Sequence, residues 1–146
     1  MNNSATCTIS SGSSAAAGLL FEGILDAAAD PGIVVWMAGT LHAAFSAKVS
    51  AASAILHFNF GRKTVPGEVI TLLLTDVTTS SFSNTGYSVI EKSIALAQSV
   101  GAAVSDVFYL KVWAITTSGT PITVTLGTGL NCRSYVNVPI PCLFNG

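Results

Sequence analysis

The chain has 146 residues, the length of one ordinary domain, with 6 Lys and Arg, 7 Asp and Glu and a formal net charge of −1. Hydrophobic residues make up 50% of it and charged residues only 9%, against roughly a quarter charged in an average soluble domain. That balance excludes intrinsic disorder, which needs few apolar residues and many charges, and it excludes a protein held to nucleic acid by positive charge.

In chain order, residues 1–18 (MNNSATCTISSGSSAAAG) are small and polar and have neither the basic start nor the apolar run of a leader. They are read as a flexible N-terminal arm that orders on assembly. Ser14 to Ala29 (SAAAGLLFEGILDAAA) is ambiguous: its alanines and the spacing of Leu20, Ile24 and Ala27 favour a short helix or irregular arm, although LLFEGIL also suits a strand. After the breaker Asp30-Pro31-Gly32, strand signals dominate. Ile33 to Leu41 is the first, and Lys48 to Phe60 the second, ending at a turn on Gly61-Arg62-Lys63. Pro66-Gly67 suits a type II turn into a third, Glu68 to Thr75, because Pro sets the first central φ and Gly accepts a positive φ at the next. Asp76 to Tyr87 is dense in small polar residues and reads as a long loop. Ser88 to Ser105 carries both helical and strand periodicity and is read as strand at its start. Val107 to Thr116, rich in aromatic and β-branched residues, is the clearest strand. Beyond Ser118-Gly119-Thr120-Pro121, Ile122, Val124 and Leu126 alternate with Thr123 and Thr125 as a half-buried strand should, and Ser134 to Val138 closes the series. About six to eight short strands with frequent turns predict an all-β chain, a single antiparallel β-sandwich over 19–138 of jelly-roll type, with at most one or two short helices.

Residues with chemical potential are few. No stretch approaches the roughly 20 apolar residues of a membrane-spanning helix. Cys7, Cys132 and Cys142 include no C-x-x-C pair, which argues against zinc and redox sites. Cys132 and Cys142 bracket CRSYVNVPIPC and form the one candidate disulfide, although a chain made in the cytoplasm favours buried free thiols. His42 and His57 are the only histidines, no G-x-S-x-G or H-E-x-x-H accompanies them, and each is read as a structural side chain. Glu22 and Asp26 read as a solvated face, and Gly127-Thr128-Gly129 as a loop without the Lys of a phosphate-binding turn. Trp36, Tyr109 and Trp113 could stack on a sugar, but aromatic residues in strands belong more often to the core. No enzyme activity, cofactor or metal is expected.

The missing charges are more informative. From Val112 to Gly146 only Arg133 is charged, and the last eight residues, 139–146, form an apolar tail. Val138, Ile140, Leu143 and Phe144 are therefore the candidate subunit contacts. In composition and layout over its whole length the chain resembles small bacteriophage virion proteins, capsid decoration or cement proteins in particular. The resemblance implies a structural, self-assembling protein made in a host cytoplasm and resident in the virion. Its expected partners are further copies of itself, in a trimer, and a major capsid protein or other virion subunits, with neither nucleic acid nor membrane. A virion coat or tail-tube subunit, an extracellular filament subunit and a carbohydrate-binding β-sandwich are the alternatives.

Overall fold

The alternation of apolar and hydroxyl side chains along the sequence is realised in strands with one inner and one outer face. The computed structural model describes residues 4–24, 35–36, 39–63, 69–96, 100–101, 107–128 and 134–137. Among the described residues there are eleven strands and no helix: β1 (Ser4–Ile9), β2 (Leu19–Ile24), β3 (Val35–Trp36), β4 (Gly39–Val49), β5 (Ile55–Lys63), β6 (Ile70–Thr78), β7 (Ser88–Leu96), β8 (Val100–Gly101), β9 (Val107–Ile115), β10 (Ile122–Gly127) and β11 (Tyr135–Asn137).

Two antiparallel sheets carry the structure. In the first, β1 pairs β10, β10 pairs β4, and β4 pairs β7 along its other edge. Next to β10, β11 takes up the same edge of β4. In the second sheet the order is β2-β9-β5-β6. β3 and β8 form a separate two-residue ladder. The inner faces meet in a core where Leu41, Phe45 and Val49 of β4 oppose Leu56, Phe58 and Phe60 of β5 and Val112 of β9, all at most 2% exposed. The rings of Phe45 and Phe58 meet edge-on across the sheets, with centroids 5.5 Å apart.

The links 10–18, 50–54, 79–87 and 116–121 each carry the chain from one sheet to the other, and they gather at one end of the sandwich. Here Ser, Thr and Asn side chains satisfy backbone groups that the ladders leave open. Thr79 Oγ1 accepts from Leu56 N (3.2 Å), Ser50 Oγ accepts from Thr123 N (2.9 Å), and Asn84 Nδ2 donates to Ala47 O (2.8 Å). Thr116 Oγ1 donates to Ser53 O (2.7 Å).

Several segments differ from the sequence reading. Leu19–Ile24 is not helical but a strand on β9, since pairing with an aromatic-rich neighbour outweighs the helix preference of the flanking alanines. Residues 4–9, assigned to an arm, are β1, in continuous register with β10, and Ile9 is 1% exposed. Lys48 to Phe60 is not one strand: β4 ends at Val49 and β5 begins at Ile55. The turn between them holds Ala52 at φ 54°, a left-handed conformation with no glycine to announce it. Replacing Ala52 by Gly removes that strain, partly offset by glycine's unfolded-state entropy, and is expected to raise stability by up to about 1 kcal/mol in urea denaturation. β6 runs on to Thr78, so the long loop starts at Thr79 rather than Asp76, and Arg62 and Lys63 lie within β5 rather than in a turn. The turn formers Asp30-Pro31-Gly32 and Pro66-Gly67 lie outside the described residues.

Candidate functional site

The residues nominated as subunit contacts, Val138, Ile140, Leu143 and Phe144, lie outside the described residues, as do Cys132 and Cys142 of the candidate disulfide. Cys7 is a buried free thiol on the inner face of β1, and burial pushes its pKa up against the lowering effect of a backbone hydrogen bond from Val124. Among the described residues no three His, Cys, Asp or Glu side chains are grouped so as to hold a metal, and no helix is long and apolar enough to cross a membrane.

What the structure assembles instead is two outer sheet faces of different character. On the outer face of the β2-β9-β5-β6 sheet, His57 stands opposite Trp113 in the β5/β9 register, and their rings stack with centroids 5.5 Å apart. His57 Nδ1 lies 2.5 Å from Asp76 Oδ1. Asp76 reaches it from an irregularity in the β5/β6 ladder, at φ 52°, where its backbone N donates to Asn59 Oδ1 at 2.7 Å. Lys111 Nζ sits 5.7 Å from the centre of the Trp113 ring. Trp113 and Tyr109 are thus covered, 8% and 6% exposed, and offer no open ring for sugar stacking. The side chain of Trp36 lies outside the description.

On the same face Tyr109 Oη donates to Glu22 Oε2 at 2.6 Å. Burial first, then that hydrogen bond and the carboxylate charge, push the Tyr109 hydroxyl up to about 12. An unfolded chain releases this proton near pH 10 and the folded chain holds it to about 12, so the unfolded state binds fewer protons in that window and stability falls as pH rises through it. The expected loss is on the order of 2 kcal/mol. Urea denaturation at pH 8 and pH 11.5 on the native protein and on Tyr109→Phe measures it, since ionisations shared by the two cancel in the difference.

The outer face of the other sheet is rich in hydroxyls. Thr6 and Thr8 of β1 stand directly opposite Thr125 and Thr123 of β10. Beyond them Lys48 Nζ lies 4.6 Å over the Tyr87 ring, and Lys48, Ser50, Thr85, Thr123 and Thr125 line a depression of about 290 Å3. Toward the opposite end His42 stands between Ser93 Oγ, 2.9 Å from Nδ1, and Glu91 Oε1, 3.5 Å from Nε2. This trio has the composition of a nucleophile, base and carboxylate. It lies on an open sheet surface, with the Glu91 side chain more than half exposed.

His42 meets Ser93, 51 residues away, and His57 meets Asp76, 19 residues away. Those partners were not read from the sequence. The hydroxyl array did leave a signal, the T-x-T repeats Thr6-Cys7-Thr8 and Thr123-Val124-Thr125. No protein-family model matches the chain, and no curated protein matches its sequence.

Proposed function

We propose that the chain is a structural subunit of a virus particle, a capsid decoration or cement protein, and that its sandwich is a jelly roll. The observation that carries this reading is the strand order, β1-β10-β4-β7 in one sheet and β2-β9-β5-β6 in the other. Along the chain every successive pair of these eight strands changes sheet except β5 and β6. Eight strands in that order make two Greek keys, the architecture used by viral capsid proteins and by some sugar-binding domains. The covered rings of Trp113 and Tyr109 favour the capsid use over the sugar-binding one.

Cementing asks for no catalytic group. It acts by burying surface between subunits, at roughly 25 cal/mol per Å2 of apolar area, and a charge-poor surface lowers the cost of desolvation. The partners are copies of the chain itself, in a trimer, and the major capsid protein. The test is to purify particles from the source, strip them with mild denaturant and follow the chain by mass spectrometry. Release that leaves the shell intact supports a decoration protein, and release only with shell collapse reassigns it as the coat. Absence from the particles, or a purified chain that stays monomeric at micromolar concentration and does not bind shells, overturns the proposal.

A further inference from the structure

We propose that β1 is the strand through which two copies of the chain join, pairing antiparallel with β1 of a second copy about a twofold axis at Thr6. The inference deepens the reading of the chain as a self-assembling subunit and rests on it. Among the described residues five strands of the two large sheets pair on one side only, β1, β7 and the three-residue β11 in one and β2 and β6 in the other. Open edges template strand addition, and proteins block the unwanted ones with charges, bulges and inward-pointing lysines.

β11 is blunted by its length of three residues, and three of the four longer edges are blocked in these ways. On β7, Lys92 stands opposite the fully buried Ala43 and so points to the inner face between Ile90 and Ile94. Full-length pairing of two β7 strands would set Lys92 against itself. On β6 the ladder to β5 shifts register twice, and Asp76 adds a charge at a left-handed residue. On β2 the register shifts between Leu19 and Phe21, and Glu22 carries a charge. β1 has none of these devices. Its six residues, SATCTI, include no charge, proline or glycine, and each from Ser4 to Ile9 stays in register with β10 from Gly127 to Ile122.

The occupant follows from the side chains. Antiparallel pairing about Thr6 sets Ser4 against Thr8 and Thr6 against Thr6 on the outer face, and Ala5 against Cys7 on the inner one. No charge is buried and no bulky pair collides. Hydroxyl pairs of this kind already join β1 to β10, where Thr6 faces Thr125 and Thr8 faces Thr123. The twofold contact continues the sheet from β1 into its copy and adds to the threefold contacts of the trimer.

Two variants test it. Thr6→Lys places like charges across the axis and is expected to halve the oligomer mass seen by light scattering, raising the dissociation constant about tenfold or more, with an unchanged circular dichroism spectrum. Residues directly opposite in an antiparallel pair have Cα atoms about 4.5–5.5 Å apart, within disulfide reach. Thr6→Cys is therefore expected to form a covalent dimer on mild oxidation, well above the native background and well above Thr8→Cys, whose partner is Ser4. Equal cross-linking of the two cysteine variants, or an unchanged mass for a folded Thr6→Lys, overturns the β1 contact. If Thr6→Lys does not fold, the cysteine pair still decides. Thr6→Lys that keeps its oligomer and enters particles normally sinks this contact alone, whereas a Thr6→Cys dimer from a chain missing from particles sinks the virion reading alone.

Discussion

Phe58→Ala is expected to lower the unfolding free energy by about 3–5 kcal/mol, the range for emptying a large aromatic from a core that cannot collapse around the hole. Phe58 is fully buried on β5, opposite Val112 of β9 and Val77 of β6, and its ring meets Phe45 from the facing sheet. It is thus held within its own sheet by ladders on both sides and across the sandwich by an aromatic contact, so no single neighbour can move in to fill the space. Domains of this kind keep only about 5–15 kcal/mol in total, and the loss is large enough to move the urea midpoint far down. Phe58→Leu, which retains a branched apolar group, is expected to lose well under half as much. Equal losses for the two variants would show that the site is not closely packed.

Gly61→Val is expected to cost about 3 kcal/mol, the upper end for forcing extra volume into a packed site. A Cβ at Gly61 would press on Thr71 O and stand 2.8 Å from Leu72 Cα, so the backbone of β6 lies where a side chain would have to go. Among the described residues β6 is an edge strand paired with β5 alone, and it can yield by moving outward. The damage should therefore be local. Amide hydrogen exchange is expected to lose protection along β6 from Ile70 to Leu74 while the β5/β9 ladder keeps its own. Uniform loss of protection would mean that β6 is not a separable unit.

The legible parts of this fold were the strands whose chemistry is local. β9 and β10 could be read because aromatic and β-branched residues, or strict apolar and Thr alternation, leave no competing helical pattern. β2 was hidden because its alanine-rich flanks favour helix, and what makes it a strand is its pairing with β9 far along the chain. The break between β4 and β5 was hidden because the left-handed residue is Ala52 and not glycine. Pairings such as Tyr109 with Glu22, 87 residues apart, follow from the order of strands in the sheets, which no local pattern encodes. The Asp76 and Glu91 partners of the two histidines were likewise hidden, since no motif around either histidine points to them.

The chain leaves β4's edge at the end of β10 and returns to the same edge as β11, and Ser134 closes the gap: its hydroxyl accepts from Ser46 N at 3.0 Å and donates to Gly127 O at 2.8 Å. Departure and re-entry are therefore fixed side by side, independently of how much chain lies between them. Loop closure penalises added length only slowly, by about 0.6 kcal/mol for each doubling. Added length between Gly127 and Ser134 therefore costs little closure entropy, while the Ser134 hydroxyl, a clasp on both Ser46 and Gly127, keeps β10 and β11 in register on β4.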